Sequence, residues 1–300
     1  MNDEELITLF KDYCLAVLRF SPHTVRAYAQ DLDDLKHFLI KEDFGSLLDV
    51  TPRTAKYYVT DVASRLTART VARKVSTLRS FYRFLVREGL RENHPFLDVA
   101  LPKVDKKLPK FVYPEEIETL FDSIDRSSDL GMRDAMLFET MYGTGIRVSE
   151  LCELTTKSIH PAERTMRVRG KGDKERIIPM GERLVSLYES YMLGARANLM
   201  KGKKHDAVFV NAKGDPLTPR GVRYVVRAVL DKAGTHMKLS PHTMRHTFAS
   251  HLLSRGADLR SVQTLLGHAS ISSTQIYTGI SKEDLRDRYM KAHPRARKKP

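Results

Sequence analysis

Residues 101–110 read LPKVDKKLPK. Two prolines and four lysines in ten positions leave little to bury, and each proline removes a backbone donor. Such a stretch does not run through the middle of a packed helix or sheet, so the chain is expected to fold as two parts on either side of it. Three hundred residues suffice for two cores. The expected boundaries are a first domain over 1–100, a linker over 101–111 and a second domain over 112–300.

The first part reads as helices throughout. LITLFKDYCLAVL has helical apolar spacing, and a second helix follows Ser21-Pro22 through AYAQDLDDLKHFL. Thr51-Pro52 starts a third, and TARTVARKVSTLRSFYRFLVREGL makes a fourth. The second part opens with a helix over YPEEIETLFDSI, and another through RDAMLFETMY that ends in Gly143-Thr144-Gly145. RTMRVRGKGDKERIIPM then alternates around Gly170-Lys171-Gly172-Asp173, which predicts a β-hairpin. GERLVSLYESYML is a helix, VFV a short strand, and Thr218-Pro219 and Ser240-Pro241 start two further helices. A shorter helix ends at Leu266-Gly267, and Ser281-Lys282-Glu283-Asp284 begins the last, before the basic tail HPRARKKP. The fold class is therefore mainly α with a small β-sheet in the second domain.

The hexapeptide SPHTVR at 21–26 nearly recurs as SPHTMR at 240–245. Ser is a good N-cap and Pro suits the first helical position, so both copies mark helix starts with His and Arg side by side three residues apart. The resemblance ends after six residues. Only partners elsewhere can decide whether either copy carries chemistry.

Charge narrows the function. Lys and Arg number 51 against 37 acids, a net charge of +14. A solvated surface does not need that excess, and a polyanion such as nucleic acid explains it. Two cysteines, Cys14 and Cys152, cannot build a disulfide framework or a tetrahedral zinc site and read as free thiols in a reducing compartment. The start MNDEELITLF lacks a signal-peptide pattern and no stretch approaches 18 apolar residues, so a cytoplasmic protein is expected.

The fourth helix concentrates that charge. Val71, Val75, Leu78, Tyr82, Leu85 and Val86 fall on one side, while Arg69, Arg73, Arg79, Arg83 and Arg87 lie broadly opposite with Ser76 and Ser80. Solvated faces usually mix signs and this one does not, so these five arginines are candidate phosphate contacts giving affinity and register.

Four stretches of the second part carry candidates for phosphate chemistry. GTGIRVSEL places Arg147 after a Gly-rich turn, and RGKGDKER places Lys171 at a hairpin tip. SPHTMR contributes His242 and Arg245, LLGHASISSTQIY places His268 after a helix stop, and Tyr277 follows nine residues later. Each has an ordinary reading alone. Arg147 could pair with Glu150 or Glu153, Lys171 could be a solvated lysine with Lys174 as its rival, and His268 could be a C-cap. His242 and His246 lack the intervening Glu of a metalloprotease helix, and no GxxxxGK[ST] loop is present.

Taken together and in this order, the motifs GTGIRVSEL, GKGDKER, SPHTMRHTFASHLL and LLGHASISSTQIY resemble those of the tyrosine recombinases, and within them the Xer type. The ending Ala292-His293-Pro294-Arg295-Ala296 is most similar to the XerC/XerD branch, and the resemblance spans almost the whole chain. It implies an N-terminal, SAM-like helical core-binding domain and a C-terminal catalytic domain that clamp duplex DNA. It implies that Arg147 and Arg245 grip the scissile phosphate, Lys171 is the hairpin lysine, His242 and His268 are the active-site histidines and Tyr277 is the nucleophile. His23 and Arg26 of the first hexapeptide are then not catalytic.

These residue types suit the reaction. Two guanidiniums can hold the non-bridging oxygens of an anionic phosphodiester and stabilise the charge gained in the pentacoordinate state. A tyrosine hydroxyl ionises near pH 10 and needs a base, for which His242 is placed, while Lys171 can protonate the departing 5′ oxygen. One phosphoester replaces another, so no metal, ATP or other cofactor is required. The resemblance further implies a homo- or hetero-tetramer with a second Xer recombinase and a C-terminal segment, residues 281–292, docked on a neighbouring protomer. The implied role is resolution of chromosome dimers at a dif-like site in cell division, with a septal DNA translocase as a possible partner. A phage or mobile-element integrase, a type IB topoisomerase and a DNA-binding protein that no longer cuts are the alternatives.

Overall fold

The computed structural model describes residues 1–102, 112–170, 174–235, 237, 239–267 and 282–297. The chain divides into two compact units, Met1–Leu108 and Pro109–Pro300. Most of the expected linker, residues 103–111, lies outside the described residues.

The first unit is four helices: α1 (Asp3–Ala16), α2 (Pro22–Lys41), α3 (Pro52–Arg65) and α4 (Ala68–Arg87). Their starts follow from local chemistry. Ser21, Thr51 and Thr67 each accept a bond from the backbone N–H three residues on, and Asn2 forms a reciprocal box with Glu5. Leu6, Phe10, Leu32, Leu35, Tyr58, Leu78, Phe81 and Tyr82 fill the core between them. The buried stripe of α4 is wider than expected on one flank and narrower on the other. Lys74, Thr77, Phe81 and Phe84 are buried, whereas Val86, expected on the apolar side, is 39% exposed.

The second unit runs α5 (Pro114–Asp122), α6 (Asp129–Thr144), α7 (Val148–Cys152), then β1 (Ile159–His160), β2 (Thr165–Arg169) and β3 (Glu175–Pro179). There follow α8 (Glu182–Leu193), α9 (Ala195–Met200), α10 (Pro219–Lys232), α11 (Pro241–Ser254), α12 (Leu259–Leu266) and α13 (Lys282–Ala292). The sheet is antiparallel in the order β1-β2-β3, with Val168 opposite Arg176 and Met166 opposite Ile178. Strand alternation therefore puts Met166, Val168, Ile178 and Arg176 on one face, the first three being core residues. The expected strand VFV is absent from this sheet. The Val208 N–H donates to the Leu154 carbonyl, the Phe209 carbonyl accepts from the Leu217 N–H, and Val210 makes an isolated bridge to Pro216. No described helix is long and apolar enough to cross a membrane.

The buried helix α6 is the axis of this unit, and the C-terminal segment anchors to it. The Tyr289 hydroxyl donates to the Gly143 carbonyl at 2.8 Å. Burial holds the His293 imidazole down at about 3, so it is neutral, and Nε2–H donates to the Tyr142 carbonyl at 3.2 Å. The Arg295 guanidinium takes Glu139 and Glu118 and lies over the Phe121 ring at 4.3 Å. Within the single chain, the end of α13 and the residues after it pack into their own domain's core, where Tyr289, His293 and Arg295 find buried partners on α6.

Candidate active site

Two helix ends build the site. Helix α6 stops at Gly145, whose φ of +59° is left-handed, and a Cβ there would lie 2.4 Å from Phe248. Glycine is thus required both by the turn and by the close approach of α11. The chain then turns through Arg147, the N-cap of α7, whose backbone N–H is taken by Glu150 at 2.8 Å. Helix α12 stops at Gly267, also left-handed at +62°.

The last carbonyls of α12 gather three guanidiniums. Arg176 Nε donates to Leu265 at 3.0 Å, Arg245 Nη2 to Leu266 at 2.5 Å and Arg147 Nη2 to Gly267 at 3.2 Å. Carbonyls at a helix C-terminus lack intrahelical partners and carry the negative end of the helix dipole, so cations belong there. Arg245 also donates to the Gly145 carbonyl at 2.7 Å, tying the end of α6 to the end of α12.

One carboxylate balances the cluster. Glu150, 5% exposed, accepts Arg147 Nη1 at 2.7 Å and both terminal nitrogens of Arg176 at 2.9 and 2.8 Å. Burial would raise its pKa, but the bonds from Arg176 and Arg147 prevail and bring it to about 2. Burial, and then the neighbouring Arg147, lower Arg245 to about 10, which still leaves it charged at neutral pH. Among the described residues, three guanidiniums against one carboxylate leave the cluster cationic and suited to an anion.

The depressed Glu150 value has a stability consequence. Its folded pKa lies below the unfolded one, so the stabilisation is complete above about 4.5 and is lost as pH falls toward about 2. The shift corresponds to roughly 3 kcal/mol. Thermal unfolding of Glu150→Gln is expected to show a flatter acid limb than wild type below about pH 5. Parallel limbs would mean that Glu150 is not held as described.

The sequence-derived candidates fall into three groups. Arg147 and Arg245 come together at α12. His242 is exposed in the first turn of α11, beside a groove lined by Val148, Arg227, Met237 and Leu239. Ser240 caps this helix as Ser21 caps α2, so the two hexapeptides share a helix start and differ in setting. Lys171, His268 and Tyr277 lie outside the described residues. Their flanks are described: the Gly170 N–H donates to the Lys174 carbonyl at 2.8 Å to close the hairpin, and Gly267 immediately precedes His268.

The five α4 arginines also separate. Arg69 and Arg83 are exposed and make no hydrogen bond or ion pair among the described residues. Arg73 pairs with buried Asp31, and Arg87 bonds Glu88 and stacks over the Tyr13 ring at 4.1 Å. Arg79 donates to the carbonyls of Phe96, Leu97 and Val99 at 3.0, 3.1 and 2.9 Å. The face that reads as unopposed charge is therefore partly engaged: Arg73 is paired with an acid from α2, Arg87 with Glu88, and Arg79 is hydrogen-bonded to backbone carbonyls.

Sequence reasoning passed over Arg176. The signal was available in ERIIP, where alternation puts Arg176 on the same face as buried Ile178, an unusual place for an arginine without a carboxylate partner.

Comparison with known proteins follows the same lines. Residues 110–284 match the phage integrase family, and residues 7–89 match the phage integrase N-terminal SAM-like domain. The chain is 44% identical over 300 residues to the tyrosine recombinase XerC of Bacillus licheniformis, covering 99% of each chain. It is 45% identical over 300 residues to the tyrosine recombinase XerC of Listeria monocytogenes, covering 99% of this chain and 100% of the relative. Among solved structures it is similar to the XerH site-specific recombinase bound to a palindromic difH substrate in a post-cleavage complex. The TM-score is 0.70 and identity 25%, over 96% of this chain and 84% of that one.

Proposed function

The chain belongs to the phage integrase family and is a Xer-type tyrosine recombinase, a site-specific DNA recombinase, and from that premise we propose that Arg147 and Arg245 hold the scissile phosphate while Tyr277 attacks it. The observation that carries this reading is the meeting of the two guanidiniums on adjacent carbonyls of α12, Leu266 and Gly267. The Tyr277 oxygen forms a bond to phosphorus as the bond to the 5′ oxygen breaks. The tyrosine proton passes to His242, and Lys171 supplies one to the departing 5′ oxygen, with His268 donating a hydrogen bond to the phosphate. The product is a 3′-phosphotyrosine and a free 5′ hydroxyl. The 5′ hydroxyl of a partner strand reverses the step, so the phosphoester bond is conserved and no external energy source is consumed.

The biological reading is resolution of chromosome dimers at a dif-like site by a tetramer, with one or two kinds of Xer protomer. Its support is near-full-length similarity to XerC proteins and likeness to a recombinase bound to difH. A nicked suicide duplex tests it. Wild type should accumulate covalent adduct on a dif-like duplex and none on an unrelated one. Equal trapping or relaxation of unrelated DNA would instead favour a topoisomerase.

The α4 surface yields a narrower expectation. Arg69→Ala and Arg83→Ala should each weaken binding on all sequences alike and lower the salt slope by about one. Equilibrium binding between about 50 and 200 mM salt measures both. Arg79→Ala should instead lower the unfolding midpoint, because three carbonyls lose their donor. An unchanged slope for Arg83→Ala would make that face merely solvated.

A further inference from the structure

Arg147 is asked to do two things at once. Its Nη1 is bonded to Glu150, yet the proposed reaction needs its N–H groups on a phosphate. A buried carboxylate that lost its only partner would oppose that exchange strongly. Glu150 has a second partner. Arg176 spans both of its oxygens in a bidentate pair and is itself only 11% exposed, against 40% for Arg147.

We infer that Arg176 is a positioning residue for recombination: it holds Glu150 and the end of α12 so that Arg147 can turn to the scissile phosphate without leaving the carboxylate unpaired. This rests on the assignment of Arg147 to that phosphate.

The geometry leaves Arg176 little freedom. Two of its nitrogens are on Glu150 and its Nε is on the Leu265 carbonyl, one residue before the carbonyl that takes Arg245. Its side chain packs against Gly267, where an added Cβ would lie 3.1 Å from both Cδ and Nη1. Strand β3 carries it, and pairing of Arg176 with Val168 fixes which face it presents. The three contacts therefore join the sheet, α7 and α12 at one guanidinium. A lysine keeps the charge but cannot form the bidentate pair and the carbonyl bond together. Arg176 touches neither DNA nor the reacting atoms in this account. It acts through Glu150 and Arg147.

Single-turnover cleavage of a prebound suicide duplex tests the inference, with affinity measured separately. Arg176→Met and Arg176→Lys are expected to cleave about 10- to 100-fold more slowly per bound complex, with site affinity within about threefold of wild type. Glu150→Gln added to Arg176→Met should recover at least about tenfold, because the neutral amide no longer competes for Arg147. A purely structural role would lower the unfolding midpoint but leave the rate per bound complex unchanged. Wild-type rates for both Arg176 variants, or no recovery in the double variant, would overturn the inference. If Arg176→Met does not fold, the Lys variant and its Glu150→Gln double decide the matter. Arg147→Ala separates the two layers. A slow Arg147→Ala beside fast Arg176 variants sinks only the inference, whereas a fast Arg147→Ala sinks the phosphate assignment as well.

Discussion

Tyr277→Phe is expected to bind the recombination site with wild-type affinity and to form no covalent adduct with it. The substitution removes one oxygen, the atom that is to become bonded to phosphorus, and keeps the ring. Loss of a nucleophile that has no substitute typically costs more than about 10³-fold in rate. Water is a poor stand-in, since the proposed roles of the pocket's residues stabilise the phosphate and do not activate a solvent molecule. Trapping on the nicked duplex reads the adduct, and equilibrium binding reads the affinity. A Phe variant that traps like wild type would assign the nucleophile to another residue. One that neither binds nor traps would show that Tyr277 supports the fold. Tyr58, Tyr82, Tyr142, Tyr191 and Tyr289 are fully buried and support the fold in that way.

Arg245→Ala is expected to have the next largest effect. By analogy with removal of an oxyanion-hole donor, cleavage should fall by about 10²–10³-fold. The energetics of the site explain why. Arg245 is half-buried, with Arg147 and Arg176 nearby and, among the described residues, one carboxylate in the cluster. Its folded pKa of about 10 lies below the ordinary value of an arginine, so burying its charge costs stability at every pH below about 10, and that cost is relieved only as pH rises further. A bound phosphate relieves it at neutral pH by supplying the missing anion. Binding energy of that kind grows with charge on the phosphate and is therefore larger in the transition state than before it. Arg245→Lys should also lose most of the rate, since one ammonium cannot bridge the Gly145 and Leu266 carbonyls and still present a fork to phosphate. A wild-type cleavage rate in either variant would remove Arg245 from the reaction.

Local chemistry made much of this fold legible. Each Ser-Pro or Thr-Pro pair did start a helix, and Gly145 and Gly267 did stop one, because N-caps and left-handed turns depend on a few adjacent residues. The hairpin strands were legible from alternation. Partners across the fold were not. Helical spacing shows which face Arg73 occupies but says nothing of Asp31, 42 residues earlier in another helix. Nor could it foresee Arg79 turned onto the carbonyls of residues 96, 97 and 99. The segment VFV has strand composition but finds no strand of its own to pair with, so propensity gave way to tertiary context. Docking of residues 281–292 on a neighbouring protomer is implied by resemblance alone, and the contacts this segment makes within its own chain were not legible in its sequence. Its anchors, Tyr289, His293 and Arg295, become visible only beside Gly143, Tyr142 and Glu139.

The site was legible as a set of motifs and not as a circuit. GTGIR and SPHTMR each name an arginine, but the sequence does not say that both end on α12. Arg176 was hidden for the opposite reason. It stands in the same motif as Lys171, and its function in the cluster depends on which way the strand faces.

Arg147 and Arg245 are proposed to act together on the charge of a single phosphate. The direct measurement is single-turnover cleavage of two substrates by wild type, Arg147→Ala and Arg245→Ala, one with the natural scissile phosphate and one with a neutral methylphosphonate there. On the natural substrate the two variants should lose about 10²–10³-fold, whereas on the uncharged one the loss should shrink to less than about tenfold. An equal loss on both substrates would mean that these guanidiniums do not hold the phosphate charge, and the account of the site would be wrong.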